Sequence, residues 1–377
     1  MRGLDFICFE NCISVCILFS STNCVMAVNE TQQEMELFSV DDKHLKIVAT
    51  VSYVLISVFG IAGNGLVLTV VVSVPALRNI TNLFIANQSL ADLVSSILLS
   101  SSFLLPPIDM SGIGYSHNRL ATFICVIWQS RFLYWASLKV STANLVVLTL
   151  ERFFAVVYPY TYRERMNFRR AVTLSLSVWV IGLLVEIPWA SLYSVSDGIC
   201  KHGERSEFST YFFAWFVFLY TVVIPCSLMV FVYISILRKL QHKRSQVDVI
   251  GPAMPTFLTG NTTAETMRHR QASERNDTTE QLMRRRSTKQ RARRNIMVTM
   301  LTVCLFYTVC VTPNQVYFFL VNVGAPQKLP NILHVATVLL YSANMCINPF
   351  IYACKYKKFQ MGFRVLFCKS RTQLIIQ

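Results

Sequence analysis

Seven runs of mostly apolar residues divide this chain. Each is long enough to cross a bilayer, which takes about 20 residues of helix. They cover roughly Lys46–Val74, Thr81–Leu105, Ala121–Val157, Arg170–Leu192, Thr210–Leu237, Asn295–Val321 and Asn331–Ala353, each bounded by Pro, Gly or a cluster of charge. Composition agrees: 53% of the 377 residues are hydrophobic and only 15% charged, against about 25% charged in an ordinary globular protein. The interior prolines Pro188, Pro225, Pro313 and Pro349 would break soluble helices. In a membrane, neighbouring helices re-satisfy the freed backbone, so they read as kinks. The expected fold is an all-α membrane protein, a seven-transmembrane helix bundle. Most of the 12 Cys lie inside the apolar runs, which excludes a small disulfide scaffold. The formal charge of +15 does not point to nucleic acid, because the basic residues sit between the spans.

Lys and Arg accumulate on the cytoplasmic side of membrane proteins. With the N-terminus outside, Arg78, Arg152, Arg163, Arg165, Arg169, Arg170, the dense set from Arg238 to Arg294 and the bases from Lys355 onward all fall inside. Most of the acids before the first span, with Asp109, Asp197, Glu204 and Glu207, fall outside. The chain then divides into an extracellular tail (1–45), a seven-span receptor-sized unit (46–354) and a cytoplasmic end (355–377). Residues 1–28 read either as a signal peptide or as an apolar, Cys-bearing tail; Asp5 and Glu10 interrupt the apolar run. Asn29 in Asn29-Glu30-Thr31 is a glycosylation acceptor on the outer side. Residues 239–290, polar and without periodicity, read as a disordered basic loop. Within it Arg284-Arg285-Arg286-Ser287 reads either as a kinase site or as a lipid-attracted basic run.

Polar residues inside a bilayer are expensive, so they default to functional hypotheses. Asp92 lies mid-span, and Asn64, Ser141, Asn144, Asn344 and Asn348 lie at comparable depth. A carboxylate among amide and hydroxyl oxygens suits a small cation; the alternative is polar glue between helices. Glu151-Arg152-Phe153 closes the third span, where the charges either snorkel or exchange partners as helices move. Asn348-Pro349-Phe350-Ile351-Tyr352 closes the seventh, a kink beside an amide and a phenol.

Taken in order, Gly63-Asn64, Leu90-Ala91-Asp92-Leu93, Glu151-Arg152-Phe153, Trp179 with Pro188, Pro225 with Tyr233, Pro313, and Asn348-Pro349-Phe350-Ile351-Tyr352 resemble the motifs of a rhodopsin-like (class A) G protein-coupled receptor. The resemblance covers about Lys46 to Cys368, one motif per helix. It implies a sodium site built on Asp92 with Asn64, Ser141, Asn344 and Asn348. It implies a coupling switch of Glu151, Arg152 and Phe153, with Tyr233, Asn348, Pro349 and Tyr352 moving toward it. It implies a Cys125–Cys200 disulfide and a short amphipathic helix after the seventh span, with Phe359, Phe363 and Leu366 buried and Cys368 a palmitoylation candidate. Cys125 stands 27 residues before Arg152, two more than the family's spacing, which implies a local bulge.

The chain departs from the family at Val311, where a Trp usually precedes the sixth-span proline. It departs again at Arg293, where an acid often restrains the third-span Arg; both point to raised basal activity. Lys139 and Glu186 are an unusual base and acid within adjacent spans, expected to pair, with pocket lining or snorkelling as alternatives. Tyr134 stands where amine receptors resemble one another in an Asp, and Ser342 stands where opsins carry a Lys. The expected pocket lining is Gln129, Arg131, Tyr134, Trp135, Gln315 and Tyr341, with Tyr317 and Phe318. The third span from Trp135 to Arg152 resembles invertebrate-type neuropeptide receptors near the galanin, allatostatin and somatostatin groupings. The resemblance therefore implies an extracellular peptide ligand, a heterotrimeric G protein, receptor kinases and arrestin as partners, membrane lipid around the spans, and residence in the plasma membrane. Competing readings are a ligand-independent receptor and, further off, a transporter, though neither repeats nor paired broken helices are evident. No nucleotide loop, metal-ligand spacing or nucleophile triad is present, so no enzyme is expected.

Overall fold

The computed structural model describes residues 43–104, 119–196, 199–203, 206–249, 298–299, 301–323 and 331–367. Among these, seven helices are long and apolar enough to span a membrane: Lys43–Ser73, Ile80–Leu104, Phe132–Val157, Phe168–Ala190, Glu207–Lys239, Leu301–Asn322 and Ile332–Lys355. Their apolar side chains divide between a shared core and an outer face that stays exposed, as on Val58, Leu184, Phe231 and Leu305. A helix exposed to lipid has no reason to hide such residues.

The third apolar run, Ala121–Val157, is not one regular helix, and its irregularity lies near Cys125 where the spacing implied a bulge. A short helix, Arg119–Phe123, leads into a π-helical segment, Ile124–Gln129, and the chain then turns at Ser130 before the long helix starts at Phe132. Arg131 has φ 56°, the sole non-Gly residue with positive φ among those described. The excess residues between Cys125 and Arg152 are absorbed here, as the spacing implied. A correction concerns the basic loop. The fifth helix runs on to Val249, beyond the boundary at 239, because Lys239–Val249 lacks Gly and Pro until Gly251-Pro252.

Two of the interior prolines show how the bundle tolerates them. A proline at position i cannot donate to the carbonyl at i−4. Pro225 thus releases the Thr221 carbonyl, in a segment already widened to a π turn over Leu219–Val223. The Tyr307 hydroxyl, from the sixth span, donates to that carbonyl at 2.7 Å. Pro349 releases the Met345 carbonyl, and Asn64 Nδ2 of the first span donates to it at 2.8 Å. In each case a side chain from another helix replaces the missing donor. Helices three and four approach closely where Gly182 faces them: a Cβ there would lie 2.8 Å from the Val140 nitrogen and 3.0 Å from the Ala136 oxygen.

On the outer side, strands β1 (Tyr193–Ser196) and β2 (Ile199–His202) form an antiparallel hairpin. Cys125 and Cys200 are joined by a disulfide with Cα atoms 5.4 Å apart, tying the hairpin to the top of the third span. On the inner side, helix Lys357–Phe367 follows the seventh span. Phe359 is buried and Phe363 and Leu366 pack on the core, while the Tyr356 hydroxyl donates to Asn82 Oδ1 at 2.7 Å. Asn29, Arg293, Cys368, the 1–28 segment and the Arg284–Ser287 motif lie outside the described residues.

Removing either replacement donor leaves a buried carbonyl unpaired, at a cost of about 1–3 kcal/mol. Tyr307→Phe and Asn64→Ala are each expected to lower the melting temperature of the detergent-solubilised protein. Ser209→Ala, at an exposed helix start, should leave it unchanged. Equal melting of all three would refute the replacement role.

Candidate functional site

The mid-membrane centre is built on Asp92, fully buried in the second span. Its Oδ1 accepts from the Ser141 hydroxyl at 2.8 Å and from Gln88 Nε2 at 3.3 Å. Its Oδ2 accepts from Asn348 Nδ2 at 2.8 Å and from the same Gln88 nitrogen at 3.3 Å. The carboxylate thus draws together the second, third and seventh spans. Ser141 and Asn348 stand where the sequence placed them. Asn64 does not: its amide nitrogen is committed to the Met345 and Gly60 carbonyls at 2.8 and 2.9 Å, because the proline kink needs a donor there. Asn344 is buried without a described bond to Asp92. Gln88 was not anticipated; its place four residues before Asp92 on one helix face was the available signal.

Gln88 in turn continues a polar chain. Its Oε1 accepts from Asn144 Nδ2 at 2.8 Å. Asn144 Oδ1 accepts from Asn87 Nδ2 at 2.8 Å, and Asn87 Oδ1 accepts from the Trp179 indole N–H at 3.0 Å. This carries the network into the fourth span.

At the cytoplasmic end, Arg152 forms an ion pair and hydrogen bonds with its neighbour Glu151, and donates to the Thr81 hydroxyl. Glu151, 2% exposed, also accepts from Thr81 at 3.1 Å and from the Tyr162 hydroxyl at 2.6 Å. Tyr162 lies on the short helix Pro159–Arg165, outside the spans. Burial, and then its bond to Glu151, raise its phenol above the usual range. Thr81 and Tyr162 went unnoticed in the sequence because their partners are 70 and 11 residues away. Phe153 packs edge-on to Phe154 and Tyr158 and near Phe231. Tyr233 is part-exposed and Tyr352 fully buried; no described bond joins either to Arg152, so the structure shows Arg152 held rather than released.

At the outer end, the Tyr134 hydroxyl lies 2.8 Å from that of Ser342, joining the third and seventh spans. Tyr134 contacts Phe103 and Trp135 edge-on, and Arg131 sits over the Phe103 ring at 4.2 Å. Gln315 Oε1 accepts from Thr221 at 3.0 Å. Tyr134, Gln315 and Tyr341 are each at most 3% exposed; Gln129, Arg131 and Trp135 remain part-exposed. An aromatic cluster around Trp189 also forms, of which the sequence singled out Phe318 but not Trp189, Tyr193, His202 or Phe213. Trp189 lies against His202, Phe213 and Phe318 at centroid distances of 5.0, 6.4 and 6.0 Å, and Tyr193 against His202 at 5.0 Å.

Lys139 and Glu186, in the third and fourth spans, are 3% and 5% exposed. The Lys139 ammonium also lies 5.9 Å from the Tyr341 ring centre, within reach of a cation–π attraction. Val311 is fully buried in the central core beside Tyr307.

Comparison with known proteins adds the family. The sequence model of the 7 transmembrane receptor (rhodopsin family) matches residues 63–352. The RYamide receptor of Drosophila melanogaster is 25% identical, covering 92% of this chain and 69% of that receptor. Galanin receptor 2a of Danio rerio is 24% identical over 91% of this chain and 84% of its own length. The octopamine receptor beta-2R of Drosophila melanogaster is 25% identical over 83% and 60%. Near-equal identity to receptors with different names means overall similarity does not set the ligand class.

Two expectations follow from this geometry. Glu151→Gln loosens Arg152 and should raise ligand-free signalling several-fold at matched surface expression, with Tyr162→Phe giving a smaller rise; a baseline lowered in both would contradict the restraint. For the buried ions, Lys139→Glu and Glu186→Lys each strand a like-charged pair in the core, a loss of about 3–5 kcal/mol when one partner of a buried pair is removed. Surface expression should fall in each single variant and recover in the double exchange; a double variant no better than the singles would show that the two charges are not coupled.

Proposed function

The chain belongs to the rhodopsin family of seven-transmembrane receptors, and from that premise we propose that it binds an extracellular neuropeptide and activates a heterotrimeric G protein. Its spans and family make it a multi-pass protein of the plasma membrane. One observation carries the choice of ligand class: the Tyr134–Ser342 hydrogen bond. These are the positions where amine receptors carry an Asp and opsins a Lys. Here two neutral hydroxyls satisfy each other, leaving neither a counter-ion for an amine nor an amine for a Schiff base. What remains is the aromatic cluster around Trp189 with buried phenols and an amide. Such surfaces give a peptide large amphipathic contacts at small entropic cost. Its relatives include receptors named for RYamide and galanin and one named for octopamine, so these side chains rather than the similarity carry the choice.

The mechanism is a population shift. A ligand favours an open cytoplasmic face only by its differential affinity for that state. Opening separates Arg152 from Thr81 and Glu151 and frees its guanidinium for the G protein. The exposed bases Arg163, Arg165, Arg169 and Arg170 flank that face, where acidic lipid headgroups, receptor kinases and arrestin would meet it. The reading asks for no bond-making step from the chain.

The test is G protein activation in cells expressing the chain, first without ligand and then with a neuropeptide panel. A saturable response to one peptide, abolished by Arg152→Ala, is expected. Tyr134→Phe should shift its half-maximal concentration about tenfold, the equivalent of about 1.4 kcal/mol. A raised baseline, lost in Arg152→Ala and unmoved by every peptide, would replace this reading with ligand-independent signalling.

A further inference from the structure

The resemblance implies a sodium ion at Asp92, and the groups around Asp92 do not fit one. A cation needs oxygen lone pairs converging on it. What converges on the Asp92 carboxylate is hydrogen: the Ser141 hydroxyl, the Asn348 amide nitrogen and the Gln88 amide nitrogen. Gln88 Nε2 lies 3.3 Å from each carboxylate oxygen and also donates to the Ser141 oxygen. It straddles the carboxylate at the place a chelated ion would take, and it engages the same hydroxyl oxygen that would complete the coordination.

Whether Gln88 presents nitrogen or oxygen to Asp92 is decided by its neighbours. An indole N–H only donates, so the Asn87 atom bonded to Trp179 is its oxygen. The Asn87 nitrogen then faces Asn144, which must answer with its oxygen. The Asn144 nitrogen is left for Gln88, whose oxygen accepts it. The Gln88 nitrogen is thereby turned to Asp92, which as a carboxylate only accepts. A donor-only group at one end and an acceptor-only group at the other fix the sense of three amides between them. Reversing any one would oppose two like atoms in a buried site, where an unmet polar group costs most.

We propose that the Gln88 amide, oriented from Trp179 through Asn87 and Asn144, takes the place of the cation, and that the Asp92 centre of this receptor is closed to sodium. Signalling and stability therefore do not respond to sodium through Asp92, and the tie among the second, third and seventh spans is intrinsic rather than set by an ion.

The experiment compares thermal unfolding of the purified full-length receptor in sodium chloride and in N-methylglucamine chloride at equal ionic strength. Wild type is expected to unfold at the same temperature in both. Gln88→Ala should acquire a saturable, sodium-specific upward shift that Gln88→Ala/Asp92→Asn lacks. Trp179→Phe, which deletes the anchoring donor and frees the amides to turn, should acquire a smaller one and serves if Gln88→Ala does not reach the surface. A sodium-specific shift in wild type that Asp92→Asn abolishes would overturn the proposal. So would a Gln88→Ala protein as indifferent to sodium as wild type, since the closure would then not be due to Gln88. A wild-type shift that survives Asp92→Asn arises elsewhere and leaves the Asp92 centre closed.

Discussion

In hydrocarbon no water stands by to satisfy a polar group that secondary structure leaves open. Each proline in a span releases one carbonyl, and at Pro225 and Pro349 a side chain of another helix supplies that carbonyl a donor. Thr221 receives the phenol of Tyr307 and Met345 receives the amide of Asn64. Both bonds run between helices, so what repairs a kink also fixes which helices are neighbours: five with six, and seven with one. The same accounting governs Asp92. A carboxylate there persists because three donors from three spans meet it, and those donors hold the spans at one depth. Packing then follows the polar ties, as where Gly182 lets the third and fourth spans close on each other.

The departures from regular helix lie at the outer halves of the spans. The π-helical segment Ile124–Gln129 and left-handed Arg131 sit above Tyr134, and the π turn Leu219–Val223 sits above Pro225. Conformational strain of this kind persists only where the surroundings over-determine it. Here the Cys125–Cys200 disulfide and the hairpin fix the upper third span, while Phe103 holds Arg131 from the side. Among the described residues, these π segments and the left-handed residue lie toward the outer side, and the Arg152–Glu151–Thr81 cluster lies at the inner end.

The seven spans and the excess residues near Cys125 were legible in the sequence because each leaves a local trace, a hydropathy run or a spacing, while the Cys125–Cys200 pair followed from the family resemblance. Asp92, Ser141 and Asn348 were legible because a charged or amide side chain in an apolar run is conspicuous by cost alone. The role of Asn64 was not, since an amide near Asp92 in depth looks the same whether it faces a carboxylate or a carbonyl released on another helix. Gln88 was missed although its place one turn before Asp92 was a local signal, whereas Thr81, Tyr162 and Trp189 were missed because their partners lie on other elements, which no periodicity records.

These ties also bear on how two distant faces influence each other. Asn348 donates to Asp92 and precedes Pro349, whose released carbonyl is held by Asn64. Any movement of the seventh span at this kink must therefore work against bonds to the first and second spans together. Tyr307 similarly joins the sixth span to the fifth, and through Thr142 at 3.1 Å to the third. Tyr134, Gln315 and Tyr341, which the proposed function places against the ligand, thus lie on helices that are bonded to one another a turn or two below. Because those bonds are either made or broken, such an assembly has discrete arrangements rather than a continuous range, and a modest differential affinity at the outer end suffices to choose between them.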